Sequence, residues 1–143
     1  MTNLNHLYQQ IILEHATEQH HAGKLTGDEV VKIHTKNQSC GDDLVLMVQI
    51  QNQLISNIGY QIEGCILSKA STSIMTDQMI GKSILESKKL IEQFSCLMTN
   101  QEDVNQLDEE AQMLTQVVSF PIRIKCVMLA WHALDQLLEQ ELT

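Results

Sequence analysis

The sequence predicts an α+β fold, and three features carry that expectation. Helical spacing of apolar residues opens the chain, a block of period-two patterning follows, and helical spacing then returns to the end. Strands grouped together and helices grouped together are the α+β arrangement, whereas strict alternation would indicate a parallel sheet. The length of 143 residues fits a single domain spanning 1–143. Hydrophobic residues make up 43% and charged residues 19%, which is the balance of a packed core. Aromatics are only 3%, so that core is aliphatic, with seven Met as adaptable filler.

Residues 3–17 read as an amphipathic helix, with Leu4, Leu7, Tyr8, Ile11 and Ile12 on one face and Thr2 or Asn3 as cap. Residues 18–29 are polar, hold Gly23 and Gly27, and read as a loop. Val30, Val31 and Ile33 begin a short strand. Leu44, Leu46, Val48 and Ile50 alternate with Val45, Met47 and Gln49 as a second. Asn52 and Gln53 are turn residues leading to a third strand with Leu54, Ile58, Tyr60 and Ile62, and so short a connection makes the pair antiparallel. Leu67, Ala70, Ile74 and Met75 then mark a helix at about 65–80, which Gly81 breaks. Ile84, Leu85, Ile91, Phe94, Leu97 and Met98 mark another over 83–98. Residues 99–110 are acidic and polar and read as a loop leading to a short helix with Leu107, Met113 and Leu114. Pro121 suits a first helical turn, and Val127, Ala130, Trp131, Leu134, Leu138 and Leu142 mark a long final helix.

The charge excludes several functions. Nine basic residues against 18 acidic ones leave a net charge of −9. Such a surface repels a phosphate backbone and an anionic bilayer, so neither nucleic acid nor membrane is an expected partner. No apolar run reaches the roughly 18 to 20 residues that span a bilayer. The opening MTNLNHLYQQ has no basic region followed by an apolar one, and the expected location is cytoplasmic. There is no P-loop, no G-x-G-x-x-G and no G-x-S-x-G elbow, so kinase, dinucleotide and serine-hydrolase readings lack support.

Four cysteines in a reducing compartment are seldom structural disulfides, and no two of them form a CxxC pair. Cys40 sits in the polar stretch Asn37-Gln38-Ser39-Cys40-Gly41-Asp42-Asp43 between strands. Gly41 lets the backbone bring Cys40 and Asp42 together, a half-site for a divalent metal, although an ordinary turn that contains a cysteine reads the same way. Cys65 follows Gly64 at a strand-to-helix junction, where partial positive charge favours a thiolate; a buried small hydrophobe is the alternative. Cys126 lies early in the last helix beside Arg123 and Lys125, two of only nine basic residues. They could offset an anionic site or simply face water. Cys96 lies inside a helical run with no glycine, carboxylate or helix start beside it, and reads as a core or half-buried residue. Three thiolates and a carboxylate would complete a tetrahedral zinc site, though spacing alone does not bring them together. His20 and His21 are adjacent in the loop, so their side chains are expected to point apart at the surface. His15, His34 and His132 have no partner assignable from sequence.

Three stretches, in this order, resemble the SufU branch of the IscU/NifU N-terminal superfamily: Ser39-Cys40-Gly41-Asp42, Glu63-Gly64-Cys65-Ile66-Leu67-Ser68-Lys69-Ala70-Ser71, and Phe120-Pro121-Ile122-Arg123-Ile124-Lys125-Cys126-Val127-Met128-Leu129-Ala130-Trp131. The likeness begins at Leu7-Tyr8 and Glu14-His15 and runs over nearly the whole chain. Lys125 stands where IscU proteins typically carry histidine, and roughly Gln93 to Gln116 matches a segment that SufU proteins insert. The resemblance implies a small three-stranded antiparallel sheet covered on one side by helices. It implies that Cys40, Asp42, Cys65 and Cys126 are metal ligands, with Arg123 and Lys125 as supporting charges. It also implies zinc-dependent sulfur transfer, in which Cys40 accepts persulfide sulfur from a SufS-type cysteine desulfurase and passes it toward SufBCD. An Fe–S scaffold that builds a cluster on the same residues, with iron in place of Zn2+, is the alternative, because cysteines are the usual cluster ligands. The chain departs from the family pattern at Gln38, Ile62 and Glu18-Gln19-His20-His21.

Overall fold

The computed structural model describes residues 2–38, 41–100, 109–114 and 121–142, and the side chains among them except those of residues 2–5, Asn100 and Pro121. Ser39, Cys40, Phe120 and most of the expected acidic loop lie outside the described residues. The order of elements is α1 (Thr2–Glu18), β1 (Val30–Asn37), β2 (Asp42–Gln51), β3 (Leu54–Glu63), α2 (Ile66–Met79), α3 (Ile84–Asn100), α4 (Glu109–Met113) and α5 (Pro121–Leu142).

The three strands form an antiparallel meander in the order β1-β2-β3. Asn52 and Gln53 join β2 to β3 with φ of 54° and 66°. Positive φ at both central residues matches the right-handed twist of a hairpin, which is why this two-residue connection works. β1 runs further than its apolar residues indicate: Thr35, Lys36 and Asn37 pair with Leu44, Asp43 and Asp42. Asn37 and Asp42 therefore close the β1–β2 hairpin instead of belonging to a loop.

Alternation in β2 buries Leu44, Leu46 and Val48 on the face that the helices cover. Helix α2 touches both α1 and α5. It can be buried nearly all round because its residues are small: Ser68, Ala70, Ser71, Thr72 and Ser73 are all buried. Hydroxyls in such a helix must be satisfied internally. Thr72 Oγ1 donates to the Ser68 carbonyl at 2.7 Å, and Thr76 Oγ1 donates to that of Ser73 at 2.7 Å. Across the α3–α5 contact, Phe94 and Trp131 stack with centroids 3.8 Å apart. Trp131 Nε1 donates to Ser71 Oγ at 2.9 Å, and that hydroxyl donates to the Val127 carbonyl at 2.6 Å, locking α5 to α2. Helix α3 opens with a capping box: Ser83 Oγ accepts from Glu86 N at 3.0 Å, and Glu86 Oε1 accepts from Ser83 N at 3.4 Å. Among the described residues, no helix is long and apolar enough to cross a membrane.

Candidate metal centre

Three of the expected ligands meet where β2, α2 and α5 converge. Asp42 carboxylate, Cys65 Sγ and Cys126 Sγ lie within 4.8 Å of one another. A zinc tetrahedron with thiolate bonds of about 2.3 Å has edges of about 3.8 Å. The three donors are thus already gathered within about one ångström of that edge length at most, close enough to share one ion. Cys40 lies outside the described residues.

Each donor is held by its local structure. Cys65 is the N-cap of α2, with extended φ and ψ of −76° and 166°, and its Sγ accepts from Ser68 N at 3.3 Å. A thiol in this capping role faces the positive end of the helix. Cys126 is 4% exposed on the buried face of α5, while Arg123 and Lys125 on the same helix are exposed.

Asp42 is 1% exposed, and a carboxylate so placed must be hydrogen-bonded. Its Oδ1 accepts from Cys65 N at 2.9 Å and from Ser68 Oγ at 3.1 Å, and its Oδ2 accepts from Asn37 Nδ2 at 3.4 Å. That grip depends on Gly64. A Cβ at position 64 would stand 2.1 Å from Asp42 Oδ1 and 2.9 Å from Ser68 Oγ. Gly64 is thus required by the close approach of the carboxylate to the start of α2, a reason that differs from the turn-forming one usual for glycine.

Two residues outside the expected ligand set complete the surroundings. Ser68 ties Asp42 to the first turn of α2. Asn37 Nδ2 also reaches Cys126 Sγ at 3.8 Å, so one amide spans two of the donors. The spacing Cys65-x-x-Ser68 is a helix-start signal visible in the sequence, whereas the role of Asn37 depends on the hairpin register and leaves no local signal. Cys96 lies on α3, half-buried, and is not among the converging donors.

The fit to a metal rests on the chemistry of the donors. Two thiols and a buried carboxylate, with outer groups that orient them, suit Zn2+ or Fe2+ better than a hard ion such as Mg2+ or Ca2+.

The histidines depart from expectation. His20 Nδ1 lies 2.6 Å from Asp77 Oδ2 and His21 Nε2 lies 3.0 Å from Asp77 Oδ1, so the adjacent rings converge on one carboxylate instead of pointing apart. Left-handed φ at Gln19 (47°) and His21 (66°) turns them the same way. The Asp77 hydrogen bond, reinforced by Glu18, raises the His20 pKa above its ordinary value against a smaller opposing effect of burial. His15 is buried between Ser73 Oγ at 2.7 Å and Glu110 Oε1 at 3.1 Å, and His34 pairs with Asp43.

Known proteins share this arrangement of chain. The profile of NifU-like N-terminal domains matches residues 7–140. An iron–sulfur cluster assembly scaffold protein IscU of Streptococcus pyogenes serotype M1 is 40% identical over 141 residues, 98% of this chain and 87% of that protein. The zinc-dependent sulfurtransferase SufU of Bacillus subtilis is 33% identical over 135 residues, 94% of this chain and 90% of that one. A crystal structure of a hypothetical protein superposes with a TM-score of 0.85 at 40% identity, covering 94% of this chain and 98% of the other. With a family profile spanning nearly all of its length and relatives of both kinds matched end to end, the chain belongs to the NifU-like N-terminal domain family, the superfamily that holds IscU and SufU.

Proposed function

We propose that this protein serves iron–sulfur cluster assembly as a scaffold, using Cys40, Asp42, Cys65 and Cys126 as ligands. The observation that carries the proposal is the convergence of Asp42, Cys65 and Cys126 around a carboxylate that the fold holds buried. The relative with 40% identity bears the scaffold name, and its likeness spans the entire site. Iron and sulfide are then the substrates. The chain's own part is to present thiolates from two helices and, through Cys40, from the β1–β2 turn, with Asn37 and Ser68 keeping Asp42 in place. Asp42 is the hardest donor of the four, so a cluster held there is bound less firmly than on four thiolates and can be handed on.

A second reading has its own support. Lys125 occupies the position where IscU proteins typically have histidine, and the SufU relative is a zinc-dependent sulfurtransferase. In that reading the ligands hold Zn2+, which keeps thiolates deprotonated at neutral pH. The Cys40 thiolate attacks the outer sulfur of a persulfide on a SufS-type cysteine desulfurase. A new S–S bond forms at Cys40, the donor's S–S bond breaks, and the donor cysteine leaves as a thiolate. The sulfur then passes to a SufBCD-type acceptor.

Metal and acid-labile sulfide analysis of anaerobically purified and reconstituted protein decides between them. Iron with sulfide and charge-transfer absorbance, lost in Cys65→Ala, supports the scaffold. Zinc held by the thiol donors without colour, and stimulation of a cysteine desulfurase that Cys40→Ala abolishes, supports sulfur transfer and overturns the scaffold. A protein that takes up neither metal overturns both.

A further inference from the structure

At the other end of α2, a second set of donors comes together. His15, His20 and Asp77 each place a ligand-capable atom within 4.8 Å of the other two. They come from α1, from the segment that follows it, and from the last turn of α2. Asp77 is about 18 Å along the helix from Cys65, at 1.5 Å per residue. The thiol centre and this cluster therefore share no donor.

We propose that His15, His20 and Asp77 form a second divalent-metal site, made of imidazole and carboxylate donors, for a first-row ion of the Zn2+ or Fe2+ class. Two imidazoles and one carboxylate are a common donor set for such ions, and imidazole suits both.

The outer partners of the cluster are those of a built site. Metal-bound imidazoles almost always carry a carboxylate, hydroxyl or carbonyl on the second ring nitrogen. Here His15 lies between Ser73 Oγ and Glu110 Oε1, and His20 lies between Asp77 Oδ2 and Glu18 Oε1, the last at 3.2 Å. Either ring can bind an ion through one nitrogen while the other stays held. The rings themselves lie 4.5 Å apart, centroid to centroid.

The backbone is fixed to suit. Helix α2 meets the His20 peptide on both sides: His20 N donates to Ser73 Oγ at 2.9 Å, and the Thr76 hydroxyl, whose proton is shared with the Ser73 carbonyl, lies 3.2 Å from the His20 carbonyl. Non-glycine residues in left-handed conformation stand on either side of His20. Such conformations persist where surrounding contacts enforce them, and here they deliver His20 and His21 to one carboxylate.

The cluster is also closed in from the sheet side: the Tyr60 hydroxyl is fully buried and interacts with Ser73, the residue that holds both His15 and the His20 backbone. Charge agrees: the carboxylates of Glu18, Asp77 and Glu110 each lie against a histidine ring, and among the described residues no lysine or arginine pairs with any of them.

Cobalt titration of the reduced, metal-free chain tests the proposal, because thiolate-to-cobalt charge transfer in the near ultraviolet separates the two centres. The expected result is two phases, one with that charge transfer and one with visible ligand-field bands alone. Asp77→Asn and His20→Gln each weaken the second phase at least tenfold and leave the first unchanged. Both side chains are partly exposed, so these variants keep the fold, which circular dichroism verifies. Zn2+ calorimetry falls from two equivalents to one in the same variants. A second phase absent from the wild type, or present and unaltered in both variants, overturns the proposal. If the thiol centre binds nothing, only the phase with charge transfer is lost, and the second site is still measured.

Discussion

Replacing Gly64 with alanine tests how Asp42 is held. The new Cβ falls 2.1 Å from Asp42 Oδ1, more than an ångström inside van der Waals contact. The carboxylate is the movable partner, because position 64 is tied to the end of β3 and the start of α2. Its displacement breaks the bonds from Cys65 N and Ser68 Oγ, which are 2.9 and 3.1 Å long. Hydrogen bonds to a charged group contribute about 1.5 to 3 kcal/mol each, so the loss is about 2 kcal/mol if one survives and about 5 if neither does. Against a total stability of roughly 5 to 15 kcal/mol, the metal-free variant remains folded but is measurably weaker. A disoriented ligand costs a further 10- to 100-fold in metal affinity, on the order of that seen for outer-shell changes. Urea denaturation of the metal-free protein measures the first quantity, and competition against a chromophoric chelator measures the second. In an Asp42→Ala background the same Gly64→Ala change should cost less, because the group it strikes hardest is gone and only Ser68 Oγ, at 2.9 Å, has to give. An equal cost in both backgrounds, or a loss under about 1 kcal/mol with unchanged zinc affinity, would refute the reasoning.

Asn37→Ala removes the amide that reaches both Asp42 and Cys126. Zinc affinity in chelator competition is expected to drop about 10- to 100-fold, with about 1 kcal/mol lost from the metal-free fold. Ser71→Ala leaves the Trp131 N–H and the Val127 carbonyl without their shared buried partner, and should lower unfolding free energy in urea by about 1 to 3 kcal/mol with no change in metal content. The chain has two tyrosines, and burial raises both pKa values, that of Tyr60 to about 12. The neutral phenol is the form the fold accommodates, so its contribution is complete below the unfolded value of about 10 and is lost as pH climbs toward 12. Phenolate absorbance in an alkaline titration should therefore lag that of the denatured chain, and a Tyr60→Phe variant should lose stability less steeply over the same interval.

Much of the fold was legible because local chemistry and tertiary placement agree. Alternation over Leu44–Ile50, followed by Asn52-Gln53, specified the β2–β3 hairpin, and the structure has both residues at positive φ. Pro121, suited to a first helical turn, begins the last helix. The polar end of β1 was not legible: Thr35, Lys36 and Asn37 become strand only through their partners on β2. Convergence of His20 and His21 was hidden for a similar reason. Adjacent side chains point apart unless the backbone between them is forced left-handed, and the force comes from Ser73 and Thr76 on a helix more than fifty residues away.

The candidate centre shows the same division more sharply. Its candidate ligands stand at or near element ends, which sequence reveals, although each of them also has an ordinary reading as a turn or core residue. What sequence does not reveal is that Gly64, Asp42, Ser68 and Asn37 constrain one another. Gly64 leaves the space that Asp42 fills, Asp42 accepts from the helix start that Cys65 caps, and Asn37 reaches Asp42 only because the β1–β2 register sets the two opposite each other. Any one of these residues, read alone, is a turn glycine, a surface acid, a core serine or a loop asparagine. The site exists as a three-element closure, so a change at Asn37 should be felt at Cys126 on α5, across a gap that no sequence window spans.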